Sequence, residues 1–194
     1  MRCECGWGIG TLTVHVAKSL NMPLPDLMMP HPRILFVGIN PSLRSERVGH
    51  HFAGPGNPFW RLLYAAGLIL EPLGHEQDAR ITEFGLALTN LCPRATRAAS
   101  ELGSGEINLG KHALINKIER LSPEVVAFVG ISIYRQFFKA SAGGAGPKPE
   151  RIAGVHIFVL PNPSGLNASF PGFTDKLVWF KRLREFVESM EHPG

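Results

Sequence analysis

The stretch ILFVG, residues 34–38, runs directly into INPS, residues 39–42. Five consecutive apolar residues with β-branched and aromatic side chains are typical of a strand that is buried on both faces of a parallel sheet. Asn40 then stands directly before Pro41, which restricts the backbone of the asparagine to extended conformations. The stretch therefore predicts a buried parallel strand that ends on a side-chain amide in a fixed position.

The same apolar pattern recurs three times, in GLALTNL (85–91), EVVAFVG (124–130) and VHIFVLP (155–161). Helical patterns lie between these runs, and alternation of strands with helices is typical of a mainly parallel sheet covered on both faces. The sequence therefore predicts an α/β fold, a three-layer α/β/α sandwich around a central, mainly parallel four-stranded sheet.

The predicted helices and loops divide the rest of the chain. Asn57 is a candidate N-cap with Pro58 in the first helical position and Gly67 as the stop, and Thr174 is a candidate cap of the last helix. Three further helices are predicted over 76–83, 109–121 and 131–140, with a long loop over 41–56 and a flexible glycine-rich connection over 140–154.

Composition favours a globular protein of one domain. The chain has 194 residues, 44% hydrophobic and 19% charged, with a net charge of +4 that permits a polyanionic partner. Three cysteines give no disulfide framework, and no stretch is apolar enough to span a bilayer or to act as a signal peptide, so a cytoplasmic location is expected. We expect residues 1–22 to be an N-terminal extension and residues 23–190 to form a single domain.

Polar residues follow each predicted strand, as INPS, TNLCPR, GIS and PNPSGLN. Ligands of open α/β sheets bind outside the carboxyl ends of the strands, where these segments converge. Each Asn-Pro alone would be read as a turn, but two of them after buried strands favour a site. No HExxH, CxxC, G-x-S-x-G or P-loop motif occurs, and Cys3 and Cys5 are too few for a metal site, so no metal site is expected.

GINPS (38–42), GHHFAGPGNPFW (49–60) and NPSGLN (162–167) resemble the mismatch-specific uracil and thymine DNA glycosylases of the uracil-DNA glycosylase superfamily. The resemblance runs from about residue 23 to residue 188. It implies a monomeric, cofactor-free enzyme of base excision repair that flips a mismatched or damaged base out of double-stranded DNA and hydrolyses the N-glycosidic bond. Three residues depart from common family patterns and leave the preferred base open: Ser42, Asn90 and Ala168.

The resemblance also implies roles for individual residues. Asn40 would be the catalytic residue, and its amide can orient a water molecule but cannot accept a proton as a carboxylate would. Ile39 and nearby backbone N–H groups would receive the base oxygens, Phe52 would stack on the flipped base, and Asn90 would bind its edge. Phe52 could instead anchor its loop to the core, and Asn90 could be a turn residue.

Contacts to the DNA are expected from two loops. Leu166 would be the apolar wedge that fills the vacated space in the duplex, with Ser164, Gly165 and Asn167 close to the DNA backbone. Arg44 and Arg47 would neutralise phosphates, although two solvated surface charges explain them equally well.

Two other functions remain open from the sequence. One is a catalytically weak protein on the same fold that binds damaged or mismatched DNA. The other is a nucleotide-binding domain that acts on free nucleosides, which would leave Leu166 without a purpose.

Overall fold

The computed structural model describes residues 23–141, 143–164 and 169–191. Its centre is a five-stranded sheet in the order β2-β1-β3-β5-β4, with β4 antiparallel to β5 and the other pairs parallel. The mainly parallel sheet predicted from the sequence is confirmed, but the expected number of four strands is wrong. The strands are β1 (Ile34–Gly38), β2 (Leu86–Asn90), β3 (Val125–Val129), β4 (Gly146–Ile152) and β5 (Val155–Leu160).

Helices cover both faces of the sheet, which gives the predicted α/β/α layers. One core cluster includes side chains of α2 and α5, and the other includes side chains of α3 and α4. The helices are α1 (Leu43–Val48), α2 (Phe59–Ala65), α3 (Ser104–Leu121), α4 (Ile131–Phe138) and α5 (Phe173–Glu191), with 3₁₀ helices over His75–Phe84 and Ala99–Glu101.

Strand β4 lies where a flexible connection was predicted. Its burial alternates along the strand, and the two prolines and charged residues of GPKPERI hid the strand pattern. Ile152 of β4 pairs with Val155 of β5, so Ala153 and Gly154 form a two-residue hairpin turn. Both turn residues have positive φ, 49° and 81°, as a type I′ turn requires. Alanine seldom occupies such a position, so the turn residues alone did not indicate a hairpin.

Helix starts also differ from the prediction. α1 occupies part of the predicted loop over 41–56, and Ser42 caps it by accepting a hydrogen bond from the N–H of Ser45. α5 starts at Phe173, so Thr174 is not its cap. α3 begins at residue 104 rather than at the predicted residue 109. The prediction missed its first turn because that turn is polar and contains glycine, so it does not continue the apolar periodicity.

Asn57 lies one residue too early to be the N-cap of the second helix, although its Oδ1 accepts a hydrogen bond from the N–H of Phe59 at 3.0 Å. Pro58 lies just before that helix rather than in its first position. Apolar side chains along this helix and along the last one face the core: Phe59, Leu62, Leu63, Ala66, Phe180, Leu183 and Val187 are all buried.

The segment 23–28 lies along the outer edge of β2. Leu27 exchanges two backbone hydrogen bonds with Leu88, at 2.9 and 2.8 Å. The Asp26 carboxylate accepts a hydrogen bond from Thr89 at 2.6 Å and pairs with Lys117 of α3, also at 2.6 Å. The first described residues are thereby fixed to the sheet and to a helix.

Candidate active site

A cavity of about 400 Å³ opens at the carboxyl ends of the parallel strands. This volume lies in the range of pockets that hold small ligands. Its walls include Asn40 after β1, Asn90 at the end of β2, Val129 of β3 and Ser164 after β5. The structure thus brings together the polar segments that the sequence places after separate strands.

Asn40 is held by both hydrogens of its amide. Its Nδ2 donates to the carbonyl oxygen of Arg94 at 2.9 Å and to Oγ1 of Thr96 at 2.8 Å. The Thr96 hydroxyl donates its own hydrogen to the carbonyl oxygen of Ala98 at 2.8 Å, so it can only accept from Asn40. These partners fix which end of the amide is nitrogen, and the half-buried Asn40 keeps Oδ1 as an acceptor on the cavity wall.

The loop that holds Asn40 follows β2, and we call residues 91–103 the β2 loop. Its Arg94 forms a two-pronged ion pair with Glu106 of α3, at 2.7 and 2.9 Å, and donates to the carbonyl of Glu101 at 2.8 Å. Hydrogen bonds from Arg94 and from the N–H of Gly103 lower the pKa of Glu106 to about 2. The sequence alone does not identify Arg94 or Thr96 as site residues, because their only signal is their place in TNLCPRAT, just after a strand.

Asn90 lies against the end of β1. A Cβ atom at Gly38 would stand 2.5 Å from Oδ1 of Asn90, so only glycine leaves room for this side chain. Asn90 lines the cavity, and its amide has no hydrogen-bond partner among the described residues. Both its donors and its acceptor are therefore available to a ligand.

Phe52 also lines the cavity, and it serves as a loop anchor at the same time. Its ring stacks on Phe59 with centroids 3.8 Å apart and planes 19° apart. Its φ of 52° lies in the left-handed region, which non-glycine residues seldom adopt. The loop must therefore be held in this conformation by its neighbours.

Contacts on each side of Phe52 supply that constraint. The buried carboxylate of Asp78 accepts from the N–H of His51 at 2.7 Å and contacts Nδ1 of His50 at 3.0 Å. On the other side, the N–H of Ala53 donates to Ser45 at 3.2 Å and its carbonyl accepts from Nε of Arg44 at 2.8 Å.

His51 adds a neutral group to the cavity wall. Burial lowers its pKa, and this effect outweighs the hydrogen bond to the carbonyl of Pro25 and the nearby carboxylates of Asp78 and Asp26. Nε2 lies 2.8 Å from that carbonyl and must carry the hydrogen, which leaves Nδ1 as an acceptor.

The predicted DNA contacts are placed unequally. Ser164 lines the cavity and its N–H donates to Oδ1 of Asn162 at 2.9 Å. Arg44 and Arg47 lie exposed on α1 and are not among the described residues that line the cavity, and Arg44 is partly engaged with Ala53. The remaining predicted contacts, Gly165, Leu166 and Asn167, lie outside the described residues.

Within the described ranges, no group of three or more His, Cys, Asp or Glu side chains is arranged to hold a metal ion. No described helix is both long and apolar enough to cross a membrane.

Comparison with known proteins identifies a similar fold and a matching family. A solution NMR structure from Methanosarcina acetivorans, described as a candidate uracil DNA glycosylase, superposes with a TM-score of 0.59 at 22% identity, covering 89% of this chain and 99% of that one. At this identity the likeness shows a shared fold. The family model described as the uracil DNA glycosylase superfamily matches residues 25–186. Because that match spans most of the chain, this protein belongs to the uracil DNA glycosylase superfamily, which implies a DNA glycosylase hydrolase.

Proposed function

We propose that this protein is a monofunctional glycosylase that flips uracil, and also thymine or other damaged bases opposite guanine, out of duplex DNA and hydrolyses the N-glycosidic bond. The product would be an abasic site for base excision repair. Family membership supports glycosylase activity in general, and the arrangement around Asn40 supports this particular mechanism.

The fixed orientation of the Asn40 amide carries the proposal. With both N–H groups donated to the β2 loop, the amide offers only Oδ1 to the cavity. Oδ1 accepts a hydrogen from a water molecule and points the water's lone pair at C1′ of the flipped nucleotide. As the C1′–N bond breaks, the base leaves as an anion with the bonding electrons and the water forms the new C1′–O bond. The water then loses one proton to solvent and the departed base takes one up, so the net change is addition of one water molecule across the bond. Positioning of this kind lowers a barrier without proton transfer to the amide.

The cavity wall suits a flat, neutral pyrimidine. Phe52 offers an aromatic surface already stacked on Phe59, and stacking a base on such a ring contributes about 1–3 kcal/mol. Asn90 offers a donor and an acceptor to the edge of the base, and Ile39 borders the same space. An amide in place of a charged side chain is expected to tolerate several pyrimidines, because it can both donate and accept.

Weak electrostatic assistance to the leaving group gives the enzyme its selectivity. Uracil and thymine depart as comparatively stable anions, whereas cytosine and adenine depart less readily. A site that relies on water positioning therefore favours the first pair. Extrusion also costs least at a mismatch, which favours bases opposite guanine.

Excision from a panel of duplexes tests the proposal. Each duplex carries one altered pair, G·U, G·T, A·U or G·hypoxanthine, and abasic products are revealed by alkaline cleavage. Wild-type protein is expected to cleave the G·U strand most rapidly. Asn40→Ala removes the water-orienting oxygen and is expected to reduce the single-turnover rate by a factor of about 100 or more.

Asn116→Ala is a matched control, since Asn116 is exposed on α3. Its rates should equal those of the wild type. Binding of the G·U duplex without any alkali-labile product would favour the mismatch-binding protein instead. Release of uracil from free deoxyuridine at a comparable rate would favour a nucleoside hydrolase.

A further inference from the structure

Formal charge is scarce around the cavity. Of the described residues that line it, one is an arginine, none is a lysine, aspartate or glutamate, and the histidine, His51, is held neutral by burial. That arginine is Arg97, which follows Thr96 directly and is exposed to solvent. The described wall is therefore neutral apart from one cation beside the residue that holds Asn40.

The carboxylates nearest in sequence are engaged elsewhere. Glu101 accepts a hydrogen bond from the N–H of Ala98 at 2.9 Å, and Glu106 pairs with Arg94 and with the N–H of Gly103. No described side chain forms an ion pair or hydrogen bond with Arg97. Arg94 and Arg97 thus have opposite roles: one is bound within the loop, and the other keeps its donors for a ligand.

The position of Arg97 relates it to the sugar rather than to the base. Thr96 fixes Asn40, which we have assigned to the water that attacks C1′, so the β2 loop borders the reacting deoxyribose. A positive charge facing the sugar itself would oppose the cationic character that C1′ gains as the bond breaks. The phosphates attached to that sugar are the anionic groups that can both neutralise the guanidinium and use its forked donors.

We propose that Arg97 binds a phosphodiester group flanking the flipped nucleotide and thereby holds the deoxyribose in register with Asn40. This inference rests on the proposed function for the identity of the flipped nucleotide. It assigns Arg97 to binding and positioning, not to the chemical step. Neither α1 arginine replaces it, because both stand outside the described cavity wall.

Neutralising single phosphates provides the test. Duplexes with a G·U pair carry a non-hydrolysable 2′-fluoro-deoxyuridine and an uncharged methylphosphonate on either its 5′ or its 3′ side. Wild-type protein is expected to lose on the order of tenfold in affinity for one of these duplexes, by fluorescence anisotropy. Arg97→Gln should lose a similar factor in affinity for the all-phosphate duplex. The methylphosphonate that weakens binding by the wild type should not weaken binding by Arg97→Gln any further. The slope of log Kd against log salt concentration should be smaller by about one in Arg97→Gln.

Arg120→Gln is the matched control, an exposed arginine in the last turn of α3, and it should behave as the wild type. The inference is overturned if the losses from Arg97→Gln and from the methylphosphonate multiply, or if neither changes affinity. It is also overturned if Arg97→Gln lowers the excision rate at unchanged Kd, since the guanidinium would then act on the leaving base. Excision assays on cleavable duplexes test the proposed function independently. If the wild type showed no excision, but the affinities of wild type and Arg97→Gln for the non-hydrolysable duplexes still behaved as expected, only the proposed function would be refuted.

Discussion

At the scale of single residues, the site depends on which atoms are already occupied. Asn40 donates both of its side-chain N–H groups to the β2 loop, while the side chain of Asn90 has no hydrogen-bond partner among the described residues. Two asparagines of one cavity are thus prepared for different tasks. The first presents an acceptor in a fixed direction, and the second can adapt to the edge of a ligand.

Thr96→Val tests the support of Asn40. Valine keeps the shape of threonine but removes the acceptor of one Asn40 N–H, so the amide gains freedom to rotate. We expect the single-turnover rate on G·U duplex to fall by about tenfold, the worth of one hydrogen bond, with little change in Kd. Thr82→Val is the control, because the Thr82 hydroxyl donates only to the carbonyl of Ala79, on the 3₁₀ helix. If Thr96→Val instead raised the Kd for the duplex and left the single-turnover rate unchanged, a positioning role for Thr96 would be contradicted.

Gly38→Ala tests the placement of Asn90. The added methyl would overlap Oδ1 of Asn90 and push the amide away from the end of β1. We expect relative rates on uracil, thymine and hypoxanthine to change in the same direction as in Asn90→Ala, measured on matched duplexes. If Gly38→Ala kept the wild-type preference among these bases while Asn90→Ala changed it, the close approach of Gly38 to Asn90 would not position the amide.

At the scale of elements, α3 and the β2 loop act as one unit. A Cβ atom at Gly110 would lie 2.2 Å from the carbonyl oxygen of Leu91, so the helix approaches the loop as closely as a glycine permits. Glu106, one turn earlier, binds Arg94 of the same loop. The helix thus fixes the loop that in turn fixes Asn40, which connects a packing contact to the geometry of the site.

Gly110→Ala is expected to separate this unit. The methyl group must displace either the helix or the backbone at Leu91, and overpacking of this kind costs about 1–3 kcal/mol. Gly105→Ala is a matched control in the same helix, because no atom lies within 4 Å of the added Cβ. It should raise stability slightly through helix propensity. Urea denaturation gives both free energies of unfolding, and equal effects would show that the contact at Leu91 is not tight.

At the scale of the whole molecule, stability should depend on pH through His51. Burial holds its pKa below the ordinary value of 6.5, so the unfolded chain binds the proton more readily than the folded one. This contribution is fully present above about pH 6.5 and is lost as the pH falls towards the folded pKa. The exposed carboxylates Glu83 and Glu106, whose pKa values are lowered by hydrogen bonds from arginines, add their own dependence.

His51→Gln isolates that dependence. Glutamine can still donate to the carbonyl of Pro25 but does not titrate, so Tm should fall less between pH 7.5 and pH 5 than in the wild type. The control His112→Gln changes an exposed histidine of α3. Parallel Tm curves for wild type and His51→Gln would contradict a buried neutral imidazole.

Much of the architecture could be predicted because the parallel strands are apolar throughout. ILFVG and its three counterparts indicate burial on both faces, and that alone favours a parallel sheet with helices on each side. The same reasoning placed Asn40 and Asn90 at one edge of the sheet, where the cavity lies. The family motifs then suggested roles that position alone does not supply.

What could not be predicted depends on long-range contacts or weak local signals. β4 contains two prolines and three charged residues, a composition that suggests a loop until β5 pairs with it. Thr96 gains its importance only from Asn40, which lies 56 residues away. Asp78 lies in a weakly periodic segment, and its contact with the Phe52 loop is visible only in three dimensions.

The two outer borders of the sheet are both unsuited to adding another strand. Along β2, the Leu27 contacts already occupy backbone groups that an incoming chain would use. Along β4, Pro147 and Pro149 lack N–H groups, and Lys148 and Arg151 place charge at the margin. Intermolecular strand pairing is therefore disfavoured at either side, which lowers the tendency of the folded protein to aggregate through its own sheet.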